Sequence, residues 1–136
     1  MTKALNEELA AIEATVVSYL GAFNRGDASA VVSHYADDGV LIAPVGPAVE
    51  GKEVLRMVYP GVFEAVAFDM AYEIKEVVQT SPDWAFVRSA TEGTETIRAT
   101  GDVLPAKYQE LFLLRKSAEG AWQIARYCTS KIIPTN

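Results

Sequence analysis

Cysteine and histidine are almost missing: Cys128 and His34 are the only ones among 136 residues. One cysteine excludes an intrachain disulfide, and one of each excludes a cysteine/histidine metal cluster. No metal is therefore expected, and a reducing cytoplasmic setting fits. Glycine-rich phosphate loops, nucleophile elbows and dinucleotide fingerprints are also missing, so no nucleotide or other cofactor is expected. Basic residues are in deficit, 12 against 18 acidic, for a net charge of -6. Without clustered Lys and Arg, nucleic acid and anionic membrane are poor partners. No apolar run approaches the ~18 residues of a membrane span, and Glu7, Glu8 and Glu13 interrupt what would be the apolar core of a secretory signal. A soluble, unexported protein is expected.

What is present is a chain of one-domain length in which half the residues are hydrophobic, enough for one core spanning residues 1–136. Leu5, Leu9, Ile12, Val16, Tyr19 and Phe23 step by three and four, the stripe of an amphipathic helix. Gly26 suits its left-handed end, and Asp27 is placed to cap a second short helix, "ASAVVSHYA", with Val31, Val32 and Tyr35 inward. "GVLIA" reads as a short strand closed by Pro44, and "GPAVEG" as a turn. A third helix starts at Lys52 and is expected to kink or break at Pro60 and Gly61. From Phe68 the period falls to two, slipping at "EVV", where a bulge is expected. "DWAFVRSATEGTETI", "YQELFLLRK" and "AWQIARYCTSKII" are three more strands, with "SAEG" a hairpin turn and "RATGDVLPAK" a longer exposed loop. The order α-α-β-α-β-β-β-β predicts an α+β domain, a strongly curved antiparallel sheet wrapped around three N-terminal helices.

Candidate functional residues are charges on apolar faces. If Trp84 and Phe86 face the helices, Arg88, Ala90 and Glu92 do too. On the next strand Tyr108, Glu110, Phe112 and Leu114 share one face, and parity alone does not say which face is inside. On the last, Trp122, Ile124, Arg126 and Cys128 share one side. A charge inside a cone needs a partner or a shifted pKa. Arg88 and Glu110 therefore form either a ligand pocket, with Arg88 as anion or carbonyl anchor and Glu110 as acid/base, or a structural ion pair. Tyr19 is a core tyrosine or a hydroxyl donor to ligand. Met57, Phe63, Tyr72, Phe86 and Phe112 are expected to wall such a pocket, with Glu92 and Arg126 as further polar groups. Met70 reads as core or pocket wall, Cys128 as a small buried side chain, and His34 as a solvated helix-end residue.

"SYLGAFNRGDASAVVSHYADDGVLIAPVGP", "EGKEVLRMVY", "AFVRSATEG", "YQELFLLRK" and "AWQIARYCTS" together resemble the cone-shaped, cystatin-like fold shared by nuclear transport factor two, ketosteroid isomerase, SnoaL-like polyketide cyclases and the association domain of calcium/calmodulin-dependent kinase. Among these the chain is most similar to small bacterial proteins of the SgcJ/EcaC type. Ketosteroid isomerase uses an aspartate base and an oxyanion hole of a tyrosine and a protonated aspartic acid. That resemblance places Tyr19 on the tyrosine, Glu110 near the acid, and Ala43 on the base, which alanine cannot replace. The kinase association domain is similar in carrying an arginine and a glutamate at the positions of Arg88 and Glu110, with histidines where this chain has Arg126 and Cys128.

The expected function is binding of a small molecule bearing a carbonyl or carboxylate, in a homodimer formed through the sheet; if the protein is an enzyme, cofactor-independent isomerase, cyclase or hydratase turnover is expected. The alternative is a non-catalytic oligomerisation or ligand-sensing module, in which Arg88 and Glu110 pair with each other or across subunits and the cone is filled.

Overall fold

A computed structural model describes residues 2–133. The N-terminal stripe forms helix α1 (Thr2–Asn24), burying Ile12, Val16, Tyr19 and Leu20. Asp27 caps α2 (Ala28–Ser33), its Oδ1 accepting from Ala30 N at 3.0 Å. This helix is shorter than its apolar pattern suggests. Tyr35 and Ala36 already belong to strand β1 (Tyr35–Ile42), which starts four residues earlier than "GVLIA". The tertiary pairing decides this boundary: Tyr35 registers with Ile124, and Ile124 N donates to His34 O at 2.8 Å. Two residues of the expected turn form β2 (Val49–Glu50) on the edge of β1.

Helix α3 (Lys52–Ala65) runs unbroken through Pro60. Leu55, Tyr59 and Phe63 lie four residues apart and are all buried. Pro60 is exposed beside them, so its missing N–H costs one bond on the wet side while burial of the opposite face holds the helix together.

Strands β3 (Val66–Ser81), β4 (Trp84–Ile97), β5 (Asp102–Lys116) and β6 (Trp122–Lys131) complete a six-stranded curved sheet in the order β2-β1-β6-β5-β4-β3. It is antiparallel except where β1 runs parallel to β6. A bulge is present between Ile74 and Glu76, just ahead of the expected "EVV", which itself pairs regularly. The expected "RATGDVLPAK" loop shrinks to a tight turn, because Asp102–Lys107 continue the ladder with β4. Pro105 is tolerated there because the β5–β6 register begins only at Tyr108, leaving that side of Pro105 without a strand partner.

The cone closes tightly where β3 meets β4. A Cβ on Gly93 would collide with the Asp69 carbonyl and lie 2.8 Å from Met70 Cα, so only glycine permits this approach. The resulting α+β architecture, helices against the concave face of an open curved sheet, agrees with the expected class.

Facing differs from expectation on two strands. On β4 the buried residues are Ala85, Val87, Ser89 and Glu95, while Trp84 is 40% exposed and Arg88 faces outward. Helix aromatics crowd the concave face, which accepts small side chains from β4. Trp84 instead takes Arg115 against its ring on the outside, at 5.6 Å. On β6, Leu114 registers with Ile124 and Leu113 with Arg126, leaving Ala125 as a bulge. The inward parity therefore flips. Trp122 and Ile124 are buried, but beyond the bulge Tyr127 faces in while Arg126 and Cys128 are exposed.

Candidate functional site

Between α1, α3 and the concave face lies a cavity of about 180 Å³. Its wall is mostly apolar, from Leu20, Phe23, Leu41, Val62, Phe68 and Met70, with Tyr72 half-exposed. Its polar groups are the phenols of Tyr19, Tyr59, Tyr72, Tyr108 and Tyr127, the hydroxyls of Thr91 and Thr129, Asn24, and one carboxyl, Glu110. Asn24 Oδ1 is occupied in accepting from Met70 N at 2.7 Å. No Lys, Arg or His stands among the described residues that line the cavity.

Glu110 is 6% exposed on the inner face of β5. Hydroxyls, not a cation, hold it: Ser89 Oγ donates to Oε1 at 2.7 Å and Thr91 Oγ1 to Oε2 at 2.8 Å. Burial raises its pKa above the usual carboxylate range, partly offset by those two donors. The carboxyl is therefore easier to keep protonated than an ordinary glutamic acid, the condition under which it can donate as well as accept.

Three tyrosines meet where α1, β1 and α3 converge. Tyr59 Oη lies 2.6 Å from Tyr19 Oη and 2.7 Å from Tyr35 Oη. Burial drives the pKa of all three upward, so they stay protonated. Three hydroxyl protons serving these two contacts leave a third, which Tyr19 can give to the neighbouring Tyr127 hydroxyl or to a group in the cavity. Tyr19 and Tyr59 line the cavity and Tyr35 does not, so the cluster can turn a donor toward the cavity. Tyr127 closes the group, its ring 5.2 Å from that of Tyr19 and stacked on Phe112 at 4.2 Å. Ala43 stands on the cavity wall next to Pro44. The geometry is donor-rich and cation-free, with no proton-transferring side chain at position 43.

A SnoaL-like domain model matches residues 16–123. The chain belongs to the SnoaL-like family. A ketosteroid isomerase-like protein from Erwinia carotovora atroseptica is 71% identical, with a TM-score of 0.92 over 95% of this chain and 99% of that one. More distant structures share the fold alone. A nuclear transport factor two-like protein with a cystatin-like fold from Novosphingobium aromaticivorans is 14% identical, with a TM-score of 0.75 over 98% of this chain and 88% of the other. A domain of unknown function with a cystatin-like fold from Nostoc punctiforme is 16% identical, with a TM-score of 0.72 over 92% and 77%. No curated protein matches the chain.

Of the residues singled out in the sequence, the fold brings Tyr19, Glu110, Tyr72, Met70 and Ala43 to one cavity. Others lie elsewhere. Arg88 is on the outer face, paired with Glu76 at 2.6 Å rather than with Glu110. Glu92 pairs with Lys107 at 3.3 Å outside, and Phe86 is half-buried on that same outer face. Arg126 donates from Nη1 to Asp38 O at 3.0 Å, and Met57 is 73% exposed on the far side of α3. Phe63 and Phe112 are core residues packed behind the wall. Cys128 is exposed rather than buried, for the parity reason given above. His34 caps the end of α2, with its pKa lowered first by burial and then by Lys52.

Sequence reasoning missed Tyr59, Tyr127, Thr91 and Thr129. Tyr59 had a readable signal, standing midway between Leu55 and Phe63 at four-residue steps. The β4 and β6 residues had none, because their facing depends on concave crowding and a bulge.

Proposed function

We propose that the cavity binds a neutral, largely apolar small molecule through a carbonyl oxygen, with Tyr19 as hydrogen-bond donor and Glu110 as the group that gives or takes a proton. The observation carrying this reading is a buried carboxyl with a raised pKa, held by hydroxyls in a wall without cations. A carboxylate ligand is disfavoured: with Arg88 outside, an anion would enter beside Glu110 with no countercharge. Turnover, in this reading, is cofactor-independent isomerase, cyclase or hydratase chemistry. It excludes any step that needs a base at position 43, because that position is alanine. The test is Glu110→Gln, which keeps the shape and removes the exchangeable proton. Turnover of an identified substrate should fall by at least ~100-fold, the low end for general acid–base catalysis, with the circular dichroism spectrum unchanged. Unchanged turnover would overturn the role.

Ala43 also favours a second reading, binding without turnover; it predicts that Glu110→Gln changes affinity and that ligands are recovered unaltered. In both readings the chain pairs with a second copy through the outer face of the sheet, where Leu111, Leu113 and Trp84 are 36–40% exposed.

A further inference from the structure

The cavity holds a second polar group that neither reading uses. Tyr108 lines the wall, and its hydroxyl donates to Oε1 of Glu95, a carboxylate only 8% exposed that does not line the wall. On the concave face, the positions between Tyr108 and Glu95 are Gly93 and Ala106, which register with each other and are small enough to leave the phenol a path. Lys131 stands 3.4 Å from the same Glu95 oxygen and 5.7 Å from the Tyr108 ring centroid, balancing the carboxylate. A phenol has one proton. Because Glu95 takes that proton, only lone pairs remain on the Tyr108 oxygen. Tyr108 therefore differs from the Tyr19–Tyr59–Tyr35 cluster, which has a proton to spare.

We infer that Tyr108 is a specificity-determining hydrogen-bond acceptor, selecting ligands that carry a hydroxyl group some distance from the carbonyl oxygen held by Tyr19 and Glu110. The ligand class is thus a compact hydroxy-ketone, neutral and mostly apolar. This assignment rests on the carbonyl reading of the cavity. A site with a donor and an acceptor at separate points of its wall fixes the ligand's direction as well as its identity, because reversal would face donor with donor and acceptor with acceptor.

Matched probes separate the two claims. 1-Tetralone, 6-hydroxy-1-tetralone and 6-methoxy-1-tetralone share a rigid bicyclic ketone and differ only at the far position; their affinities are measured by titration calorimetry or NMR shift titration. The 6-hydroxy compound should bind about tenfold tighter than the 6-methoxy compound, the worth of one net hydrogen bond to a buried acceptor. Tyr108→Phe should erase that preference. Glu95→Gln, whose amide can donate to Tyr108 and release the phenol proton into the cavity, should narrow or reverse the preference. Binding of all three probes without preference, or a preference that survives Tyr108→Phe, overturns the Tyr108 assignment and leaves the carbonyl reading standing. Failure of all three to bind overturns both.

Discussion

Replacing Tyr59 by Phe removes one oxygen from the middle of a buried chain, and its cost can be worked from the contacts. Tyr59 Oη is the only oxygen shared by Tyr19 and Tyr35, at 2.6 and 2.7 Å. The two neighbours then fare differently. Tyr19 borders the cavity, where water can replace the lost partner, whereas Tyr35 is 0% exposed and does not line it. A buried hydroxyl left without a partner costs about 1–3 kcal/mol, and a net hydrogen bond is worth about 1 kcal/mol. Tyr59→Phe should therefore destabilise by about 2–4 kcal/mol. Tyr35→Phe should cost only about 1 kcal/mol, because Tyr59 keeps Tyr19. The double variant Tyr35→Phe/Tyr59→Phe should be no less stable than Tyr59→Phe alone, since it removes the orphan together with its partner. Urea unfolding followed by far-UV circular dichroism reads all three differences, with unchanged m-values as the check that the unfolding reaction is the same. Equal losses for the two single variants, or additive losses in the double, would refute the argument that Tyr59 is the hub.

Three further outcomes are expected. Glu110 has a raised folded pKa, so the native state binds its proton more tightly than the unfolded chain does; the stability this contributes is present below the unfolded carboxyl's pKa and is lost as pH rises through the folded one. Each tenfold change in proton affinity is worth about 1.4 kcal/mol, and a pH series of denaturation curves should show wild type losing stability relative to Glu110→Gln across that window; a flat difference would contradict the shift. Gly93→Ala should cost about 3 kcal/mol or more by forcing β3 away from β4, read as a lowered melting temperature; a near-neutral result would mean that the strands separate easily there. Leu111→Glu should shift sedimentation from dimer to monomer with the cavity's tetralone binding retained; an unchanged sedimentation coefficient would remove the outer face of the sheet from the interface.

Patterns that need only local geometry were legible in the sequence: the α1 stripe, the Asp27 cap, the third helix, a slip in β3 near "EVV" and the α+β order. The same holds for Tyr19 and Ala43, whose cavity positions follow from a helix face and a strand end matched to a familiar motif. Arg88 shows where such reasoning stops. Its strand alternates perfectly, but alternation gives two faces without saying which is inside, and the larger residues Trp84 and Phe86 suggested the wrong one. Pro60 shows the converse: a local rule predicts a break, and burial of Leu55, Tyr59 and Phe63 overrides it.

By itself, then, the amino-acid order determined the class of fold, the absence of any cysteine/histidine metal set, and an alanine before Pro44 at the end of the first strand. Tertiary structure alone decided which charges face the cavity. A strand's facing is a single binary choice made by whatever packs against it, so helix aromatics turned Arg88 out to Glu76, and one bulged residue, Ala125, turned Arg126 and Cys128 out after it. Glu110 was left inside, held only by hydroxyls, because Ser89 and Thr91 came in where Arg88 was expected.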